Sequence, residues 1–158
     1  MSATGKIADF VERLEQLATP EFMSRLSQKL GGDIVRLVDD GIRRGVDPYG
    51  NPHPARTDGA VPLQGFIGTF TASWGADWIR VASSKWYAKV HQAGWKINGV
   101  NGNLKFQLPT GQWIQKQSVT IPQRKMIPTR DEGLGPYWTP VLMRTTEQFF
   151  RDHLQGRG

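Results

Sequence analysis

Tyr87 and His91 stand one helical turn apart within residues 85–94, Lys-Trp-Tyr-Ala-Lys-Val-His-Gln-Ala-Gly. A phenol and an imidazole on one helix face can orient each other or bond neighbouring backbone. Catalysis needs a further convergent group, and none lies nearby in sequence. The plainer reading is a hydrogen-bonding post in a short buried helix that hinges two sheet segments. Gly94 closes this helix, being the residue type suited to a left-handed cap. His53 lies among prolines and His153 near the C-terminal end, with no metal-ligand spacing among the three histidines. No metal and no cofactor is expected. No glycine-rich loop ends in Lys-Ser or Lys-Thr, and the glycine-rich stretch 98–103 lacks a following helix whose N-terminus would hold a phosphate. No Gly-x-Ser-x-Gly occurs, and Ser83-Ser84 reads as a helix cap. Asp39-Asp40 and Asp131-Glu132 are adjacent carboxylates that point apart on a helix or stand in a loop, so they read as solvated charges. The expectation is that the protein is not an enzyme.

The 158 residues suit a single domain over 1–158 with a core of its own, and the absence of cysteine excludes disulfides and thiolate metal sites. Nothing at the N-terminus resembles a signal peptide, and no apolar run is long enough to span a bilayer, so a soluble chain without a membrane partner is expected. The formal net charge of +6 favours an anionic partner without requiring one. Arg43-Arg44, Lys85, Lys89, Lys96, Lys105, Lys116, Arg124-Lys125 and Arg130 lie mostly in or beside the predicted sheet half, with Trp95 and Trp113 near them. That pattern suits a phosphate-facing surface and an ordinary soluble surface equally well.

The elements that must position these groups follow from periodicity. Ile7, Phe10, Val11, Leu14 and Leu17 form an apolar stripe that predicts a helix over 5–18. Thr19-Pro20 ends it and starts a second helix, running to about Arg44 and interrupted at Gly31-Gly32, where either the helix bends or another backbone comes close. Residues 46–64 form a long Pro/Gly-rich loop, and 47–62, like 98–117, have too little apolar content to be held by their own domain, so both are expected to be mobile in a free subunit and ordered against neighbouring copies. Residues 66–83 read as a hairpin turning at Gly75-Ala76-Asp77, with Phe70, Ala72 and Trp74 on one face and Trp74 opposite Trp78. A second hairpin turns at Pro109-Thr110-Gly111, and its polar strand makes 98–118 a projecting ribbon. Trp138, Leu142, Thr145, Phe149 and Leu154 predict a last helix. The fold class is α+β: two N-terminal helices, an antiparallel sheet of two hairpins with a short helix between them, and a C-terminal helix. Trp86, Tyr87, Phe70, Trp74, Leu26, Leu30 and Leu142 are the predicted core. Arg124, flanked by apolar residues and prolines, is expected to pair with a carboxylate.

Three motifs occur in a telling order. Leu30-Gly31-Gly32-Asp33-Ile34 leads into Asp47-Pro48-Tyr49-Gly50. Tyr87-Ala88-Lys89-Val90-His91-Gln92-Ala93-Gly94 follows, and Ile121-Pro122-Gln123-Arg124-Lys125-Met126-Ile127-Pro128 precedes the terminal helix. In this order the chain, over roughly 20–154, resembles the phage virion morphogenesis proteins, the tail completion proteins of Mu-like and related tailed phages. It departs from them at Asn51-Pro52-His53-Pro54, where a tryptophan-containing segment is usual, and at Pro62-Leu63-Gln64-Gly65. The resemblance implies a structural virion protein that forms a homo-oligomeric ring of six or twelve copies, as a tail terminator or a head–tail joining neck subunit. Its partners would be other neck and tail proteins, with transient, non-specific contact with DNA passing through the lumen. It would be found at the head–tail junction or head-proximal tail end, and in the host cytoplasm during assembly. Asp47, Pro48, Gly50, Tyr87, Ala88, His91, Gln92, Gly94, Pro122, Arg124 and Pro128 would be structural motif positions. Gln115, Lys116, Gln117 and Lys105 would face the lumen or DNA, and Arg124, Tyr49, Trp95 and Trp113 a neighbouring subunit. The alternative is a basic nucleic-acid-binding module acting alone.

Overall fold

The computed structural model describes residues 11–12, 15, 17 and 19–156. Most of the predicted helix over 5–18 lies outside these residues, although Val11, Glu12, Glu15 and Leu17 are helical. The architecture is α+β. Helix α1 spans Pro20–Arg44. Thr19 caps it, its Oγ1 accepting the Phe22 N–H at 3.3 Å, and Gly45 (φ 69) ends it in the left-handed conformation with its own N–H turned back to the last carbonyls. Glu21 and Arg43-Arg44 complement the two ends of the helix dipole. The buried stripe is Phe22, Leu26, Val38 and Ile42, with Leu30 and Ile34 half-buried.

The helix continues through Gly31-Gly32, because what approaches there is another element. Strands β1 (Phe70–Trp74) and β2 (Ile79–Ser83) form an antiparallel hairpin laid across α1. A Cβ on Gly31 would sit 3.0 Å from the Ala72 Cβ and 3.6 Å from Ile79, whereas nothing lies within 4 Å of one on Gly32. The hairpin register sets Trp74 opposite Ile79, not Trp78. The chain reverses more tightly than the sequence suggests: the Gly75 N–H donates to the Trp78 carbonyl at 2.9 Å, leaving only Ala76-Asp77 at the tip. The Trp78 indole lies over Gly75 in space a side chain would fill.

Helix α2 is short, Ala88–Ala93, and buries no residue fully. Gly94 (φ 72, ψ 154) is not a left-handed cap; it takes an extended conformation open only to glycine, and a Cβ there would press on the Gln123 backbone. Trp86 precedes the helix and points to solvent at 79% exposure, so it leaves the predicted core, as does Trp74 at the hairpin end. Tyr87 and Leu30 are only half-buried. The hydrophobic core instead gathers Val38, Ile42, Leu63, Phe66, Phe70, Met126, Trp138 and Leu142.

After α2 comes one long two-stranded ribbon. β3 (Trp95–Asn98) pairs with β6 (Ser118–Ile121), and β4 (Leu104–Gln107) pairs with β5 (Trp113–Lys116), so the two hairpins form separate sheets and not one. Sequence pattern missed β3, whose residues are all exposed and lack an apolar-in, polar-out signature against a core. The ribbon thus runs over 95–121 and exceeds the expected 98–118. Gly99 extends the ladder by donating to the Gln117 carbonyl at 2.8 Å, and Val100–Asn103 then make a tight excursion with Asn101 (φ 53) and Gly102 (φ 77) at its tip.

Helix α3 (Gly135–Leu154) lies against α1. Trp138 and Leu142 enter the core, and Phe149, Phe150 and His153 surround the Phe22 ring at 4.7–5.4 Å. The buried Asp33 of α1 accepts from the Thr145 hydroxyl of α3 and from Arg36, so this buried carboxylate is paired.

Candidate functional site

Segments far apart in sequence meet beside α2. The first is the turn after α1, closed by Asp47. Its Oδ1 accepts from the Tyr49 and Asn51 N–H groups at 2.9 and 2.8 Å, and its Oδ2 accepts from the Asn51 amide at 3.0 Å. Such a side-chain-closed turn needs Asp or Asn at its first position. Gly50 (φ 88) lies under the Tyr137 ring, so a side chain there would meet both backbone strain and the aromatic ring. Pro48 is buried, and Tyr49 reaches across to the chain before α3. The Tyr49 hydroxyl donates to the Gly133 carbonyl at 3.0 Å and accepts from the Thr129 N–H at 2.9 Å.

The second segment is α2. The carboxamide of Gln92 acts as a two-sided clamp: its Nε2 donates to the Ile127 carbonyl at 2.7 Å, and its Oε1 accepts from the Met126 and Ile127 N–H groups at 2.7 and 3.1 Å. The His91 carbonyl accepts the Arg124 N–H at 2.7 Å. Tyr87 and His91 do share a face. Their rings sit edge-on to Phe66 at 5.1 and 5.5 Å, which makes them packing partners for the core.

Arg124 belongs to the third segment, residues 122–128, and is only 7% exposed. It does not pair with a carboxylate. Its Nε donates to the Pro54 carbonyl at 2.9 Å and its Nη2 to the Ala55 carbonyl at 3.2 Å. A proline supplies an acceptor without a competing donor, and two backbone carbonyls can satisfy a buried guanidinium that nothing neutralises. Burial and the charge of Arg56 pull its pKa below the ordinary arginine value. Beside it, Lys125 donates to both Glu132 oxygens at 2.7 and 2.6 Å and lies over the Tyr49 ring. This bond holds the Glu132 carboxyl below the usual range.

The three motif segments therefore form one joint, and its chemistry is mechanical. The nitrogens His53 Nε2 and His91 Nδ1 are buried without a hydrogen-bond partner, and burial lowers the pKa of both rings. Among the described residues no group of three metal-ligating side chains converges. Residues 46–53 are accordingly fixed, contrary to the expectation for the whole loop; residues 54–61 are exposed. Arg124 and Tyr49, expected at a subunit contact, are occupied inside the chain. Sequence reasoning missed Thr129 and Gly133 and read Glu132 as a solvated charge without its Lys125 partner, although Thr-x-x-Glu followed by two glycines was a legible turn signal.

The remaining expected residues fall elsewhere. Gln115, Lys116, Gln117 and Lys105 are all exposed on the ribbon, as are Trp95 (58%) and Trp113 (68%). None of residues 92–123 is buried.

The order Asp47 turn, α2, Arg124 segment is matched by a sequence comparison: the model of the phage virion morphogenesis family aligns with residues 3–136. The chain belongs to this family. No curated protein and no solved structure shows a significant match. The alignment holds the whole joint except its seal by Tyr137; where a span of 20–154 was expected, it begins earlier, at residue 3, and ends at the start of α3. Membership in a virion morphogenesis family gives the protein a structural role in building the phage particle. No helix among the described residues is long and apolar enough to cross a membrane.

Proposed function

We propose that the protein is a ring-forming subunit of the virion, acting as a tail completion or terminator protein or as a head–tail joining neck subunit, without catalytic activity. One observation carries this reading: an ordered ribbon with no buried residue over 92–123 that holds Trp95 and Trp113 in solvent. Large apolar side chains are left exposed on a regular element when another chain covers them. A joint that fixes the base of such a ribbon sets its direction from copy to copy, and closed assemblies need that reproducibility. In the ring, Gln115, Lys116 and Gln117 would offer the lumen neutral hydrogen-bonding groups and one cation per copy, enough to steer a passing polyanion without trapping it. The test is the mass of the isolated chain by light scattering, with electron micrographs. Six or twelve times 17.7 kDa and a ring-shaped particle are expected. A chain that stays monomeric and binds DNA with a steep salt dependence would instead establish the stand-alone nucleic-acid-binding module.

A further inference from the structure

The joint buries a positive charge and sets two imidazoles beside it. The Arg124 guanidinium is held by the Pro54 and Ala55 carbonyls, which carry no net charge to oppose its own. His53, only 8% exposed, immediately precedes Pro54, and the His91 carbonyl accepts the Arg124 N–H. Both histidines therefore adjoin this arginine, one through the strap 53–55 and the other through α2. Each ring keeps one nitrogen, His53 Nε2 and His91 Nδ1, out of solvent and without a partner. A neutral imidazole tolerates that, since its proton can sit on the other nitrogen and leave the buried one bare. A protonated ring does not: both nitrogens then carry N–H groups, and the buried one has no acceptor.

No carboxylate facing the two rings is free to receive the added charge. Asp47 faces His53, and its oxygens already accept the Tyr49 and Asn51 N–H groups and the Asn51 amide. The charges that face His91 are Arg124 and Arg56, and both oppose its protonation. Asp58 is bonded through both oxygens to Arg56, and Glu132 to Lys125 and Thr129. Protonating the rings would thus add two cations beside a buried guanidinium, with one occupied carboxylate to answer them. The strap is the part that can give way. It is held by the two Arg124 bonds and by the His53 N–H, which donates to the Gly45 carbonyl at 2.8 Å, and its Pro54 and Ala55 are exposed. Val38 and Ile42 of α1, by contrast, are fully buried in the core. Lifting the strap uncovers far less apolar surface than unfolding that core.

We propose that the joint is an acid-sensitive latch: protonation of His53 and His91 releases residues 53–55 from Arg124 and loosens the base of the ribbon while α1 and its core stay folded. The latch belongs to the single chain and does not depend on the ring reading above. Native-state hydrogen exchange of the full chain at pH 7.5 and 5.5, corrected for the intrinsic pH dependence of exchange, tests it. At pH 5.5 the amides of His53 and Arg124 should open more than about tenfold more often than at pH 7.5, since each unit by which a ring's pKa is lowered allows a factor of ten. Low urea should leave these rates unchanged, because a local opening exposes little surface. The Val38 and Ile42 amides should stay slower at both pH values and quicken with urea. The chain carrying His53→Gln and His91→Gln should lose the acid response at the joint. In the wild type, NMR titration of the two imidazoles should share its midpoint with the opening, a comparison that stands even where the double variant fails to fold. Joint amides that exchange at the α1 rate with the α1 urea dependence overturn the latch, since the joint then opens only with the whole chain. An acid response that is absent from the wild type, survives in the double variant, or has a midpoint away from both imidazoles overturns it equally.

Discussion

At the scale of single residues, the joint concentrates its strength in a few side chains that bond to backbone. Gln92 makes three such bonds to residues 126–127, and Gln92→Ala should lower stability by about 2–4 kcal/mol in urea unfolding, since it leaves partly buried backbone groups unpaired. Gln92→Glu separates the two sides of the clamp: it keeps the acceptor but sets a carboxylate oxygen against the Ile127 carbonyl. It should destabilise as well, and a neutral result would show that the carboxamide donor contributes nothing. The histidines give the joint a pH dependence. Arg124 and Arg56 add to burial in lowering the His91 pKa, and Arg124 adds to it at His53, where Asp47 acts the other way. With folded values below 6.5, the unfolded chain binds more protons just below that pH, so stability is full above it and falls as pH drops through the folded values. The urea midpoint should therefore decline from pH 7.5 to 5.5, and the decline should be shallower in the His53→Gln, His91→Gln chain. Asp47, Gln92 and Arg124 all stand in motifs legible from the sequence. What was not legible was Arg124's partner, because a pattern of residue types shows carboxylates and hides backbone carbonyls.

At the scale of elements, α1 was readable almost to the residue: Thr19-Pro20 and Gly45 are strong terminal signals, and the apolar stripe between them has one period. The two glycines within it looked alike and are not. Gly31 is buried under Ala72, so Gly31→Leu should cost several kcal/mol by pushing the hairpin away, whereas Gly32→Ala fills open space and should stabilise by about 0.5–1 kcal/mol through helix propensity. Thermal melting of the pair decides between this account and one in which both glycines simply weaken the helix. The hairpins were legible from their turns, but the burial of their aromatics was not. Alternation says which residues share a face, yet only the packing partner says whether that face is covered, and for Trp74, Trp86 and the whole of β3 the chain supplies too little cover.

At the scale of the whole molecule, exposure divides the chain into fixed and open parts. Limited proteolysis of the unassembled chain should cut first within 56–61 and at the excursion and tip of the ribbon, and should spare 46–55, which Asp47, Tyr49 and Arg124 hold closed. Protection of the ribbon cuts in the assembled state is the expected sign of its burial there. The pairing of Trp95 with Ile121 has a further consequence. The chain leaves the body and returns to it across a single strand spacing of about 5 Å, so the ribbon is an insertion with adjacent ends. A two-residue turn could replace residues 97–119 without moving either end, and since nothing removed is buried, the shortened chain should fold with a melting temperature close to the parent's. An insertion with adjacent ends is a part that can be removed or replaced as a unit while the joint beneath it stays the same.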